Sequence, residues 1–223
     1  FPYLSASNSI EYPPVIGLGN WLISFITPDN NSYRWFFDIN AVILIALFLI
    51  SALIVRKIRP EYGYLFPLAP AVIASLFINW DLWAVVSAML AIYYFDKKKY
   101  EVSAIALGVS IATKFFPVVL LLPITIILYR SAAIDQLRKY LATTLLFWLV
   151  INLPIMVTHF AGWWRFFKLN LERSADFGSL WYGLSLLGID IPFLNLIYLI
   201  LTITSFIALA IYLLNLKQIP NLA

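Results

Sequence analysis

The 223-residue sequence has no cysteine, a single histidine and few charged residues. Without cysteine there are no disulfides, thiolate metal sites or cysteine nucleophiles. The lone histidine, His159, excludes metal sites that need two or more imidazoles. Only 12% of the residues are charged, whereas 63% are hydrophobic and the mean hydropathy is +0.90. Soluble domains are about a quarter charged, so this composition predicts an integral membrane protein.

Sequence motifs of several soluble enzyme classes are also missing. The chain has no Gly-x-Ser-x-Gly, no phosphate-binding P-loop and no dinucleotide fingerprint. Its net charge of +4 comes from 15 basic and 11 acidic residues, and the basic residues fall in short clusters between apolar runs. Such clusters are typical of signals that orient a membrane protein, so we expect no nucleic-acid partner.

Eight apolar runs are candidates for membrane helices, which need about 20 residues to cross a bilayer. Phe36–Val55 and Leu194–Leu214 have the length of full, uninterrupted spans, and the others are shorter, as in bundles whose irregular segments are shielded by neighbours. The sequence predicts one all-α transmembrane domain over residues 1–223, a polytopic bundle of about 7–8 membrane helices. The shorter runs are Val15–Ile26, Leu65–Ile78, Leu82–Phe95, Val102–Thr113, Phe115–Tyr129 and Leu141–Val157.

Lysine and arginine set the expected orientation of this bundle. They cluster at residues 56–59, 97–99 and 130–139, and the positive-inside rule places such loops in the cytoplasm. Three segments then face the other side of the membrane: residues 79–81, the connection at Lys114 and an outer loop over 158–192. For Glu11 to share that side, either Leu65–Ile78 is re-entrant or Val15–Ile26 is not a full span.

Two ionisable residues beside apolar runs are candidates for function, because a charge at membrane depth is costly. Lys114 has no other charged residue within ten positions on either side. A lone ammonium at a helix junction suits an anionic group such as a lipid phosphate, and the alternative is a lysine that snorkels to the interface. Asp81 follows Asn79 and Trp80 and is a candidate helix cap, a role that does not exclude facing an outer cavity.

The outer loop combines aromatic, cationic and polar side chains. The run from Trp163 to Lys168 is typical of a juxtamembrane helix in the headgroup plane. The residues that follow supply the hydrogen-bonding groups and stacking rings that a sugar site needs. At the other end of the chain, Glu11 precedes two prolines and is either a base or a structural partner. The candidate sugar-binding residues in the loop are Asn170, Glu172, Arg173, Asp176, Trp181 and Tyr182.

Four sequence blocks in this order resemble the membrane proteins of glycosyltransferase family 87, within the GT-C superfamily. The first three blocks are also similar to those of GPI-anchor mannosyltransferases. The blocks are Tyr12-Pro13-Pro14-Val15-Ile16-Gly17; Ala69-Pro70 with Asn79-Trp80-Asp81-Leu82; Gly108 with Thr113-Lys114-Phe115-Phe116-Pro117 and Leu122-Pro123; and Trp163-Trp164 with Asn170-Leu171-Glu172-Arg173 and Ser179-Leu180-Trp181-Tyr182.

The resemblance implies a GT-C-like core and an inverting transferase. Such an enzyme moves a sugar, usually mannose, from a polyprenyl-phosphate donor to an acceptor on the non-cytoplasmic face. Lys114 would neutralise the departing phosphate, while Tyr12, Asn79 and Asp81 would border the substrate pocket. The segment from Asn170 to Tyr182 would close that pocket. The implied partners are membrane lipids and the lipid-linked sugar, and a divalent cation is an optional cofactor.

The family's first helix and the acidic motif of its first outer loop are expected before Tyr12. Ten residues precede Glu11, and none of them is aspartate. We therefore expect a piece of a longer enzyme, a chain that relies on another membrane subunit for the missing helices, or a non-catalytic assembly subunit. Within this chain Glu11 is the candidate base. A transporter is a weaker alternative, because the sequence shows no internal repeat.

Overall fold

The computed structural model describes residues 1–5, 7–175, 179–189 and 191–222. Within these residues the fold is built from α-helices and short 3₁₀ turns without any strand, which confirms the predicted all-α class. The helices are α1 (Pro14–Phe25), α2 (Ser32–Ile58), α3 (Pro70–Ser75), α4 (Asp81–Asp96), α5 (Tyr100–Thr113), α6 (Leu121–Arg130), α7 (Ile134–Thr158), α8 (Phe160–Glu172), α9 (Leu180–Leu186) and α10 (Leu194–Asn215).

Three helices in the described part of the chain are long and apolar enough to cross a membrane, namely α2, α7 and α10. Helices α2 and α10 contain the two predicted full spans. Helix α7 contains one of the shorter predicted runs, Leu141–Val157, and extends it mainly at its start. The helices α1, α4 and α5 have 12, 16 and 14 residues. At 1.5 Å per residue they reach about 18–24 Å, less than the ~30 Å of the hydrocarbon core. The predicted count of membrane helices is therefore not confirmed.

The predicted span Leu65–Ile78 is wrong as a single helix. Its first part is a 3₁₀ turn, Phe66–Leu68, and its second part is the six-residue helix α3. Two prolines explain the break. Pro67 and Pro70 lack the amide hydrogen that a helix needs, and Ala69, which precedes Pro70, is extended with ψ 120°.

Helix α1 lies at one end of the bundle. The hydroxyl of Tyr3 fills the space beside Gly17, and the ring of Trp83, in the first turn of α4, packs on Gly19. Trp21 meets Phe1, whose ring also contacts His159 at the end of α7. With 12 residues, α1 is shorter than a helix that crosses the hydrocarbon core alone, and the choice between the two sequence interpretations stays a prediction.

The centre of the bundle is an antiparallel pair, α4 and α5, with α7 packed against α5. Small residues let these helices approach closely. The hydroxyl of Ser110 donates a 2.7 Å hydrogen bond to the backbone oxygen of Ala84. A Cβ at Gly108 would lie only 2.6 Å from the backbone oxygen of Thr144. The hairpin therefore brings the start of α4 and the end of α5 to the same level.

The basic loops meet at the opposite end of the bundle from α1. The lysines at 97–99 connect α4 to α5, and the last turn of α2 carries Arg56 and Lys57. Arg130, at the end of α6, donates hydrogen bonds to the backbone oxygens of Leu213 and Leu216 at the end of α10. A cation there offsets the negative end of the helix dipole. The fold thus separates a basic end from the end that carries the predicted site.

Candidate functional site

An ion pair joins Lys114 and Asp81, which are 33 positions apart in the sequence. Asp81 is the first residue of α4 and Lys114 directly follows α5, so the antiparallel packing of these helices places them side by side. The ammonium donates to the carboxylate Oδ1. The side chains remain 26% and 39% exposed, so a ligand can reach the pair from outside the bundle.

Asp81 does not cap its own helix. The side-chain oxygen of Asn79 accepts a 3.0 Å hydrogen bond from the backbone N–H of Asp81, which satisfies one of the free donors at the helix start. The Asp81 carboxylate is thereby left for Lys114, while its negative charge still lies favourably at the positive end of the α4 dipole. Asn79, directly before the N-cap residue Trp80, thus supplies the side-chain hydrogen bond at the start of the helix.

Tyr12 packs against this ion pair. The Lys114 ammonium lies 5.8 Å from the centre of the Tyr12 ring, within the range of a cation–π interaction. The edge of the Trp80 ring meets Tyr12 at a centroid distance of 5.2 Å. Trp80 is held in turn by Asn40 of α2, whose Oδ1 accepts a 2.7 Å hydrogen bond from the indole N–H. These contacts fix the entrance to α1 against α2, α4 and α5.

The phenol of Tyr12 is kept in its protonated form. Burial raises its pKa, and the Asp81 carboxylate raises it further, while Arg173 acts in the opposite direction and Glu11 again raises it. The hydroxyl is therefore a neutral hydrogen-bond donor at physiological pH. Glu11, Asp81 and Arg173 are therefore near enough to Tyr12 to act on its hydroxyl electrostatically.

Glu11 lies beside the predicted outer loop. Its carboxylate accepts a 3.2 Å hydrogen bond from Arg165 of α8, and the same guanidinium donates a 2.7 Å bond to the backbone oxygen of Ser7. Glu11 lines a cleft of about 280 Å³ together with Asn170, Glu172 and Arg173. The structure thus brings together four of the predicted residues, from sequence positions more than 150 apart.

Trp181 and Tyr182 line a second cleft, of about 620 Å³, which also includes Glu172. The Trp181 ring meets Tyr198 of α10 edge to face at 5.6 Å. Since Glu172 faces both clefts, the two lie next to each other along the end of α8. Asp176 lies outside the described residues.

Three residues at the site were not singled out from the sequence: Trp80, Asn40 and Arg165. Trp80 lies between Asn79 and Asp81, which were both candidates. Asn40 is a polar residue within the apolar run Phe36–Val55, and this polarity is the signal that would have found it. Arg165 was assigned only to the interfacial helix, yet its guanidinium faces Glu11.

The sequence assigned Trp163 to a juxtamembrane helix in the headgroup plane, and the structure corrects this for its side chain. This side chain is buried, and its indole N–H donates a 2.8 Å hydrogen bond to Oδ1 of Asn152 in α7. It packs with Tyr3 and Ile155 in a small core beneath the N-terminal segment. Gly162 allows this contact, because a Cβ there would meet the backbone oxygen of Tyr3 at 2.2 Å. Helix α8 therefore packs on the bundle and positions Arg165.

The residues of the site do not fit a divalent cation held by several carboxylates. Asp81 is paired with Lys114, and Glu11 is paired with Arg165. Nowhere in the described ranges do three or more His, Cys, Asp or Glu side chains form a group that could hold a metal ion. The site instead offers cations, hydrogen-bond donors and single carboxylates.

The fold and site are those of an all-α membrane protein with a charged, partly open centre at one end of its bundle. Residues 79–183 match the sequence model of a family described as mannosyltransferase (PIG-M). The match covers slightly less than half of the chain, and it contains Asn79, Asp81, Lys114 and helix α8. It supports a membrane mannosyltransferase of GT-C type. No curated protein and no solved structure matches the chain.

Proposed function

We propose that the chain acts in an inverting mannosyl transfer from a polyprenyl-phosphate donor, on the non-cytoplasmic face of a membrane. The observation that carries this proposal is the partly exposed ion pair of Lys114 with Asp81, which lies within the segment that matches the mannosyltransferase family. The basic loops lie at the opposite end of the bundle, and such loops usually face the cytoplasm.

The proposed reaction exchanges one bond at the anomeric carbon of the sugar. The oxygen of an acceptor hydroxyl forms a bond to this carbon from the face opposite the phosphate. The bond between the carbon and the phosphate oxygen breaks, and its electron pair leaves with the polyprenyl phosphate. The hydroxyl proton passes to a carboxylate. The protein therefore has to stabilise negative charge on the leaving phosphate and to position a base.

Lys114 is suited to the leaving phosphate. An ammonium has three N–H donors, and Asp81 accepts from one of them. The remaining donors are available to phosphate oxygens. Asp81 and the Tyr12 ring hold the ammonium in place before the donor binds, so little reorganisation accompanies the departure of the phosphate. The protonated hydroxyl of Tyr12 is a further donor beside it.

Glu11 is the proposed base within this chain. Its side chain is 59% exposed, and the Arg165 guanidinium fixes its position. It lines the same cleft as Asn170, Glu172 and Arg173, which we assign to the hydroxyl groups of the substrates. Trp181 and Tyr182, in the adjoining cleft, offer aromatic faces on which a sugar ring can stack.

The test measures transfer of radiolabelled mannose from polyprenyl-phosphate mannose by the purified chain in detergent, with donor binding measured separately. Transfer that is lost in Glu11→Gln with donor binding retained supports the assignment of the base. Glu61→Gln is the matched control, because Glu61 is exposed just after α2, at the basic end of the bundle, and its substitution should change neither quantity. Failure of the unmodified chain to bind the donor at all would overturn the proposal.

A further inference from the structure

A further polar cavity, of about 560 Å³, lies at the basic end of the bundle, where α5 and α7 both begin. Lys98, Lys99 and Lys139 line it, and Glu101 is the one acidic residue among the lining side chains. The nearby Asp135 is engaged by Arg138 at 3.6 Å. The lining therefore carries an excess of positive charge, which favours an anionic ligand.

The lysines are presented by ordered backbone. The N–H of Lys98 donates a 2.8 Å hydrogen bond to the backbone oxygen of Phe95, and the N–H of Lys99 donates a 2.9 Å bond to that of Tyr94. Lys98 has a φ of 58°, a left-handed conformation that this tight turn requires. The buried Tyr140 hydroxyl, 2.9 Å from the hydroxyl of Ser103, joins the two helices at the cavity.

An apolar strip continues from the cavity along α7. Lys139, Thr143, Leu146 and Val150 are spaced by four, three and four residues, so they share one face of the helix. The first two line the cavity. The next two are apolar side chains with 55% and 60% of their surface exposed. A charged cavity that leads onto exposed apolar surface of a membrane-spanning helix matches the shape of a lipid.

We propose that this cavity binds the phosphate headgroup of an acidic phospholipid, whose acyl chain lies along Leu146 and Val150. The cavity lies near the start of α7, which is long and apolar enough to span a membrane, and therefore at headgroup depth. Basic pockets between membrane helices at the cytoplasmic side recognise such headgroups. This inference is independent of the proposed transfer reaction, because the cavity lies at the opposite end of the bundle.

The experiment titrates the detergent-solubilised chain with fluorescent phosphatidylglycerol and, separately, with fluorescent phosphatidylcholine. We expect tighter binding of phosphatidylglycerol. Each basic residue near an anionic headgroup contributes about a factor of five, so Lys99→Gln/Lys139→Gln should weaken this binding about 25-fold. The double variant Lys57→Gln/Lys217→Gln is the matched control, because it removes the same charge from exposed lysines that do not line the cavity.

Three results would overturn the proposal. The first is equal binding of the two lipids, and the second is equal weakening in the cavity variant and its control. The third is complete displacement of the lipid by an about 10-fold molar excess of inorganic phosphate, which would require free phosphate to bind at least as tightly as the lipid. The last result would indicate a site for a free anion. Lys99→Arg/Lys139→Arg keeps the charge and should retain most of the binding. Circular dichroism of each variant separates a loss of binding from a loss of the helical fold.

Discussion

Replacement of Lys114 by methionine tests the centre of the proposed site. The substitution keeps an unbranched chain that can pack on Tyr12 and removes the charge that faces Asp81. If the ammonium binds the donor phosphate, the variant should bind polyprenyl-phosphate mannose more weakly. Methionine cannot replace this interaction, because its thioether is at most a weak hydrogen-bond acceptor.

The size of the effect follows from the exposure of the pair. A hydrogen bond to a charged group contributes about 1.5–3 kcal/mol. Because the Lys114 side chain is 26% exposed and that of Asp81 is 39% exposed, solvent screens part of the charge, and the full Coulomb energy of a buried pair does not apply. A loss of about 1.5–3 kcal/mol corresponds to donor binding about 10- to 150-fold weaker.

The assay is equilibrium binding of a fluorescent polyprenyl-phosphate mannose analogue to purified protein, followed by the transfer assay. Lys97→Met is the matched control. The Lys97 ammonium also lies 5.8 Å from a tyrosine ring, that of Tyr93, but at the basic end of the bundle. The two variants lose the same charge and the same kind of ring contact, and only Lys114→Met is expected to lose donor affinity.

Loss of Lys114 also leaves Asp81 without its cation, and this change alone affects stability. The double variant Lys114→Met/Asp81→Asn removes both charges and should recover thermal stability without recovering donor binding. If donor affinity is unchanged in Lys114→Met, or returns fully in the double variant, Lys114 acts only as a structural partner of Asp81, and the assignment of the phosphate site is refuted.

Three further predictions concern the surroundings of the site. Asn40→Leu and Trp80→Phe each remove one partner of the 2.7 Å hydrogen bond between these side chains, so a double-mutant cycle in thermal unfolding should show a coupling of about 0.5–1.5 kcal/mol; additive effects would contradict the contact. Gly162→Ala should destabilise the fold by about 1–3 kcal/mol, because its Cβ meets backbone, whereas Gly183→Ala, with open space around its Cβ, should not. Asn20→Leu should raise the free energy of unfolding by about 1–3 kcal/mol, because the side-chain nitrogen and oxygen of Asn20 are both buried without a hydrogen-bond partner among the described residues. A decrease in the free energy of unfolding would contradict this and indicate that bound water satisfies the amide.

The apolar runs predicted the long helices well and the short ones less well. Phe36–Val55 and Leu194–Leu214 lie within α2 and α10, because an uninterrupted apolar run of this length has no stable alternative to a helix in a membrane. Leu65–Ile78 has a similar composition, yet its two prolines divide it into a turn and a short helix. Hydrophobicity alone does not report such a break, because the break depends on the backbone N–H groups that the prolines lack.

The site residues were found individually, but their arrangement was not. Lys114 and Asp81 stood out because a charge beside an apolar run is costly, and each residue proved to be the partner that offsets this cost for the other. Asp81 was also a candidate helix cap, but the side-chain hydrogen bond at the start of α4 comes from Asn79. Trp163 resembled an interfacial residue by composition and is buried instead, because the N-terminal segment covers it.

The sequence by itself determined the membrane class, the helical fold and the separation of basic loops from polar, aromatic segments, because these properties follow from composition and local spacing. Only the tertiary structure decided that Glu11 meets Arg165, 154 positions away, and that the Lys114 ammonium lies over the Tyr12 ring. Such pairings depend on how closely α4, α5 and α7 pack and on where the segment before α1 crosses them. The close backbone contacts at Gly108 and Gly162 set the helix packing and the path of this segment. The hydrophobic pattern of the chain does not report such contacts.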